Sequence, residues 1–465
     1  RGSPGRTGVM PRTLSAVAYE VHGELVGGDV EFDEVSIDSR KLDSGALFIA
    51  IAGENLDGND FVADAYSKGA AGAVVSRLTG VPLPQIHVPE TRSAFGRIAR
   101  AWRKNFSLPV VAVTGSNGKT TVKELISSIL GLSQNVCVTH GNLNNDLGVP
   151  LTLLRLREAH DVLVVELGAN HAGEIDYLSK LTQPTIGVIT NANAAHLEGF
   201  GSIAGVGAAK GELLDHLPRT GTAVINADDA HCIEWCDRST SDEILTFGLN
   251  SRADCTVDGE IILEPYGSKF MLCLPSGVTM EVLLPLMGIH NVQNALAAST
   301  VAYALGASEK DIQKGLNQAS AAKGRLNVLS SPSGARIIDD TYNANPDSVR
   351  AALTYLKGLG GKRIFVLGDM AELGEAGENL HREIGIYARD CCDALFATGD
   401  LSWHAVSAFG DHGEFFAEID TLQQTLETLL AEDIVILLKG SRVMGLDRLV
   451  GLISKGQAQE KPQSC

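Results

Sequence analysis

The sequence is poor in aromatic residues, at 5%, which argues against stacking of successive bases on single-stranded nucleic acid. It is also short of positive charge: 38 Lys plus Arg stand against 56 Asp plus Glu, for a net charge of -18. A surface of that sign repels phosphate backbones and anionic membranes, so neither nucleic acid nor membrane is an expected partner. A small anion is compatible with it where cations are gathered locally or a metal supplies the charge. No stretch reaches the ~20 uninterrupted apolar residues of a membrane-spanning helix, and no apolar signal core stands near the start. The eight cysteines (137, 232, 236, 255, 273, 391, 392 and 465) contain no CxxC and no zinc-type pair of pairs. Scattered thiols of this kind read as reduced core fillers, so a cytoplasmic address is expected. Arg1–Val9, ahead of Met10, read as an expression remnant outside the fold, and the polar tail from Lys455 as frayed.

What is present is 465 residues, 44% hydrophobic, with 50 Gly and 15 Pro. At ~150 residues per domain that length suggests about three domains. An N-terminal unit runs to residue 106, alternating short strand-like runs (VEFDEVSID, ALFIAIAG, AGAVVS, LPQIHV) with helical stretches such as FVADAYSKGA. A central unit, 107–324, opens with PVVAVTG and continues with VLVVELG, TIGVITNA and TAVINADD. Such continuous apolar runs suit parallel strands buried on both faces. Around 237–285 the texture alternates and is broken by Pro-Ser-Gly, which predicts a small antiparallel insertion. A third unit, 325–465, repeats the α/β pattern in ARIIDD, RIFVLGD, ALFATGD and IVILLKG, each ending in Asp or Gly, with a helix over NPDSVRAALTYLKGLG capped by Asn345. The expected fold is α/β in three domains: an N-terminal domain, a central phosphate-loop parallel-sheet domain of ATPase-like type, and a C-terminal Rossmann-like domain.

Val113 to Thr121 (VTGSNGKTT) lies between a buried strand and a helix starting near Thr120. Its glycines let amide N–H groups converge on phosphate oxygens, and the helix N-terminus and Lys119 add positive charge. A Thr hydroxyl can ligate Mg²⁺. The strict G-x-x-x-x-G-K-[ST] spacing is not met, because Val113 occupies the first glycine position. Nucleotide binding is therefore expected at Gly115, Ser116, Asn117, Gly118, Lys119, Thr120 and Thr121. Alone, Glu166 at a strand end reads more readily as a solvated or ion-paired carboxylate than as a metal ligand. His196 reads as structural or surface, Lys210 as a helix-surface lysine, and Lys439 as a solvated one.

Ten motifs in order change those odds: TGSNGKTTVKE, GNLNNDLGVPLTLL, ELGANHAGEI, NAAHLEGFGS, AKGE, HNVQNALAA, KGRL, DDTYNANPDS, GDMAELG and LKGSR. With them the chain resembles the ATP-dependent Mur ligases of peptidoglycan synthesis from about Leu14 to Ile453. The resemblance implies a carboxylate–amine ligase that forms ADP, with UDP-N-acetylmuramoyl-tripeptide and D-alanyl-D-alanine as substrates. It implies ATP and two Mg²⁺, with Lys119 on the β/γ-phosphates and Thr120, Glu166 and His196 on metal. Lys210 matches the lysine that becomes a CO₂-derived carbamate bridging to metal, which calls for a pocket that lowers its pKa. His290, Asn291, Asn294, Arg325, Asp340 and Asn343 fall where the family contacts ATP. Asp38, Ser39, Arg40 and Phe48 match the UDP-sugar anchor, Asn142, Asn144 and Asn145 the muramoyl side, and Lys439, Ser441 and Arg442 the incoming dipeptide. Two positions depart from the family pattern: Asn59 stands where Asp-Gly-His-Asp-Phe is usual, and Ile289 precedes His290 in place of arginine. A sister ligase adding a single amino acid, and a nucleotide-switched regulatory protein, are the alternatives. A monomer is expected.

Overall fold

The computed structural model describes residues 12–53 and 55–454. Arg1–Val9, the tail from Lys455 and Cys465 lie outside the described residues. Contacts divide the chain into two compact units. One comprises residues up to 112 with 134–168 and 174–185; the other comprises 113–133, 169–173 and 186 onward.

In the first unit a five-stranded sheet has the order Glu24–Val26, Gln85–His87, Gly72–Val75, Leu47–Ile49, Val35–Ser36. Its first pair is antiparallel and the rest are parallel. VEFDEVSID therefore yields two short strands, Glu31–Phe32 and Val35–Ser36, where one run was expected. Successive side chains alternate faces: Leu47, Ile49 and Val74 enter one apolar cluster, Phe48, Ala73 and Val75 the other. The helix Leu14–Val21 buries Leu14, Val17, Ala18 and Val21, the i, i+3, i+4, i+7 stripe of an amphipathic helix, and Thr13 caps it.

The helix Thr91–Arg103 explains why 134–168 and 174–185 group with the N-terminal residues, across the expected boundary at 107. It packs on Gly148–Leu154 and Glu174–Thr182. Trp102 Nε1 donates to the Leu156 carbonyl at 3.2 Å and Arg103 Nε to the Thr182 carbonyl at 3.1 Å. Gly96 lets the helices touch: a Cβ there would lie 2.2 Å from the Tyr177 hydroxyl.

In the second unit the strands Ile186–Ile189, Thr222–Asn226 and Glu243–Phe247 pair in parallel. The expected insertion is a three-stranded antiparallel sheet, Thr256–Glu264, Gly267–Cys273 and Thr279–Leu284. A six-stranded sheet follows in the order Asn327–Ser330, Arg336–Asp340, Ile434–Lys439, Lys362–Gly368, Ala394–Thr398, Gly413–Phe415, parallel after its first pair. Both its faces are apolar: Ile338, Phe365, Leu367 and Leu437 enter one cluster, Ile337, Ile364, Val366 and Ile436 the other. That is the doubly covered sheet of a Rossmann-like fold. Asn345 caps the helix Pro346–Lys357 in a capping box with Ser348, and Pro346 occupies its first turn. Among the described residues no helix is long and apolar enough to cross a membrane.

Candidate functional site

The phosphate loop is held from outside by the segment after strand Ile186–Ile189. Ser116 N donates to the Asn191 carbonyl at 3.0 Å, Asn117 N to Asn191 Oδ1 at 2.9 Å, and Ser116 Oγ to the Asn193 carbonyl at 3.1 Å. Thr190 Oγ1 donates to the Asn117 carbonyl at 2.6 Å. Gly115 (φ +144°) and Gly118 (φ +82°) lie in the region that favours glycine, and neither has room for a side chain. A Cβ would lie 1.9 Å from Thr190 Oγ1 at the first and 2.3 Å from Asn294 Oδ1 at the second. The helix Lys119–Leu130 opens on Gly118 without a side-chain cap, which leaves its N-terminal end to a ligand anion. Lys119 Nζ donates to the carbonyls of Gly115 at 2.6 Å and Ser116 at 3.0 Å.

Asn117, Gly118 and Thr121 form one wall of an open cleft of about 780 Å³, solvent side included. His290, Asn291 and Asn294 from the helix Ile289–Ala304 line it with Arg325, Asp340 and Lys439. Most of the residues expected to touch ATP thus share one space. Asn294 Nδ2 donates to Asn291 Oδ1 at 3.0 Å and Asn291 Nδ2 to the Met287 carbonyl at 2.8 Å, so the two amides are held in series. Arg325 lies over the Tyr342 ring at 4.1 Å and reaches Thr120 Oγ1 at 3.4 Å, while its buried Nε has no partner. Burial holds the His290 imidazole down to about 4, with Lys439 adding to the shift and Asp340 opposing it. Asn343 contributes its carbonyl, which accepts from Lys439 Nζ at 3.0 Å.

Lys439 is 3% exposed and Nζ donates to Asp340 Oδ2 at 2.5 Å. It is therefore not a solvated lysine; burial pushes its pKa down and the Asp340 carboxylate opposes the shift. The three residues expected on the dipeptide side do not come together. Ser441 is a buried strut, accepting from Ala371 N at 2.7 Å, and Arg442 lies at the surface beside Asp447. Only Lys439 faces the cleft, together with residues expected on the nucleotide.

Lys210 is 1% exposed, which overturns the helix-surface reading. Its Nζ lies 4.9 Å from the Phe200 ring centroid and 3.4 Å from the Ala169 carbonyl. The same Phe200 ring meets His196 edge-on at 6.5 Å between centroids. His196 Nδ1 contacts the Glu372 carboxylate, a residue the motif reading left without a role. Among the described residues no three His, Cys, Asp or Glu side chains gather as a ready cation site.

Within the first unit, Glu166 is 1% exposed and its Oε1 accepts from Asn144 Nδ2 at 2.8 Å, so it too is no solvated carboxylate. Asn145 Oδ1 accepts from Gly148 N at 2.9 Å at the start of helix Gly148–Leu154, and Asn142 is exposed. Asn144 and Asn145 therefore brace the fold where contacts to a muramoyl group were expected. Asp38 caps the short helix Ser39–Lys41, and the Arg40 guanidinium beside it lowers its carboxyl to about 2. Ser39 is buried, its carbonyl accepting from Lys68 Nζ at 2.7 Å. Phe48 is a correction: at 2% exposure it belongs to the core, because strand alternation turns it inward. Asn59 is also buried, bonded to Asp57, Ser76 and Arg77.

Motif reading missed Asn191, Asn193 and Gln293 along the cleft and Asn345 beside the loop. The asparagines closing TIGVITNAN were the available signal, since polar residues just past a buried parallel strand face its ligand edge.

A glycine-cradled loop and an amide-lined cleft with a buried cation suit a nucleotide, and comparison with known proteins narrows the class. A model of the Mur ligase middle domain matches residues 113–302. One of the Mur ligase glutamate ligase domain matches 324–442, and one of the Mur ligase family catalytic domain 31–103. The chain belongs to the Mur ligase family. The UDP-N-acetylmuramoyl-tripeptide–D-alanyl-D-alanine ligase of Escherichia coli K12 is 42% identical over 441 residues, covering 94% of this chain and 97% of its own. A crystal structure of MurF from Acinetobacter baumannii has a TM-score of 0.90 at 37% identity, covering 96% of this chain and 99% of its own. MurF from Thermotoga maritima in complex with ADP has a TM-score of 0.83 at 27% identity, covering 91% and 97%.

Proposed function

We propose that this chain joins D-alanyl-D-alanine to UDP-N-acetylmuramoyl-tripeptide, converting ATP to ADP and phosphate, in peptidoglycan precursor synthesis. The observation that carries the reading is similarity along nearly the full length of both chains to the Escherichia coli ligase of that activity. The tripeptide carboxylate attacks the γ-phosphorus of ATP, giving an acyl phosphate and ADP. The dipeptide amine then attacks the acyl carbon, phosphate leaves, and the amine proton passes to solvent or base.

A carboxylate approaching a triphosphate meets strong repulsion, so positioned positive charge is the main catalytic requirement. Lys119 and the amides around Gly118 hold the phosphates. Arg325, whose buried Nε lacks a protein partner, would meet the same anion. His290, Asn291, Asn294 and Asp340 border the nucleotide, and Asn117 and Thr121 complete its cleft. Thr120, His196 and Lys210 as its carbamate would hold Mg²⁺. The donor set fits a hard cation: a hydroxyl, a carbamate oxygen, and an imidazole whose other nitrogen faces Glu372. Bound there, Mg²⁺ would supply charge neutralisation on the phosphoryl oxygens. Burial of Lys210 supports the carbamate, since a neutral amine must meet CO₂. Asp38, Ser39 and Arg40 anchor the UDP-sugar, the domain boundaries fall near 107 and 325, and the enzyme works in the cytoplasm.

The test is phosphate release with ATP and Mg²⁺, omitting each substrate in turn, with the product weighed by mass spectrometry. Release that needs both the muramoyl peptide and the dipeptide, with a product of their summed mass less water, is expected. Turnover indifferent to either one overturns the reading.

A further inference from the structure

We propose that Glu372 is a positioning residue for His196: it holds the imidazole by Nδ1 and so presents Nε2 to a divalent cation. The assignment rests on the reading of His196 as a metal ligand. Glu372 lies in GDMAELG, the loop after strand Lys362–Gly368, and its carboxylate contacts His196 Nδ1. The backbone makes the same connection, the Glu198 N–H donating to the Glu372 carbonyl at 3.4 Å. Phe200 fixes the ring from another side by its edge-on contact.

Both residues are held in backbone conformations that side chains other than glycine rarely adopt, His196 at φ +53° and Glu372 at φ +62°. Such strain persists only where the surroundings over-determine it. Stability does not explain keeping it here. The Glu372 side chain is 48% exposed, and exposed ion pairs contribute little. A neutral imidazole has one N–H and one lone pair, so an acceptor at Nδ1 settles which nitrogen is free to ligate.

The experiment uses the full chain with ¹⁵N-labelled histidine, metal-free, followed by Mn²⁺ titration monitored by EPR in the presence of β,γ-methylene-ATP. In the unaltered protein His196 should carry its proton on Nδ1. In Glu372→Ala it should shift toward the Nε2–H form that free imidazole side chains favour, with Mn²⁺ affinity down about 10- to 100-fold. Glu372→Gln, which keeps an acceptor oxygen, should retain the Nδ1–H form. Glu372→Asp, with a shorter reach, should move as Glu372→Ala does and serves if the alanine variant does not fold. In a His196→Ala background, Glu372→Ala should cost no further Mn²⁺ affinity. Unchanged ring shifts in Glu372→Ala, or an equal loss of Mn²⁺ affinity in the His196→Ala background, overturns the proposal alone. Unchanged Mn²⁺ affinity in His196→Ala overturns the metal-ligand reading beneath it.

Discussion

Asn345 Nδ2 donates to Asn117 Oδ1 at 2.8 Å, so the residue that caps helix Pro346–Lys357 also grips the phosphate loop. Its Oδ1 accepts from Ser348 N at 2.9 Å and from Asn117 Nδ2 at 3.4 Å, so the oxygen serves both cap and loop while Nδ2 serves the loop alone.

Those duties separate by substitution. Asn345→Asp keeps an excellent cap but loses the donor and brings negative charge toward a phosphate site. Urea denaturation should show a change within about 0.5 kcal/mol, while ADP affinity measured by calorimetry should fall at least several-fold. Asn345→Ala should lose about 1 kcal/mol of stability as well.

Gly118→Ala combines a left-handed backbone with a Cβ 2.3 Å from Asn294 Oδ1. The backbone alone costs about 1–2 kcal/mol, and relief of the clash must move Asn294 out of the cleft. Thermal melting should fall, and the stabilisation normally given by ADP should disappear.

The Lys439–Asp340 pair is buried, at 3% and 8% exposure. Removing one partner leaves an uncompensated charge, which for buried pairs costs about 3–5 kcal/mol. Lys439→Met should therefore destabilise strongly, and Lys439→Met with Asp340→Asn should recover a good part of the loss. A double-mutant cycle in urea measures the coupling.

His290 gives a pH signature. Its imidazole titrates near 4 in the folded protein against 6.5 for the ordinary side chain. Below 6.5 the unfolded chain takes up a proton that the folded chain refuses. Stability from this group is thus complete above 6.5 and lost as pH falls toward 4, by about 3 kcal/mol in total. His290→Gln should be less sensitive than the unaltered protein over that window in urea titrations. The His290 ring resonances should not titrate between pH 5.5 and 8.

Much of the fold was legible because buried parallel strands are written locally. VVAVT, VLVVE, IGVI and IVILLK are continuous apolar runs, and each is a strand buried along its whole length. The phosphate loop was legible because its glycines are required by the backbone itself. Motif position does not say which way a side chain points. Phe48 matches an anchor motif yet faces the core, and Ser441 sits in LKGSR yet braces a neighbouring loop. Contacts of Asn117 with Asn345 and of His196 with Glu372 join distant parts of the chain. Only tertiary packing brings them together. The grouping of 134–168 with the N-terminal residues was hidden for the same reason, since it depends on Trp102 and Arg103 reaching carbonyls far along the chain.

The Lys119 ammonium is held by two carbonyls of its own loop. A lysine free in water surrenders roughly 1.5–2 kcal/mol of rotamer freedom when an anion captures it. Here folding has already chosen the rotamer. An arriving phosphate exchanges partners with a cation that is in place, and more of its intrinsic attraction remains to distinguish one anion geometry from another.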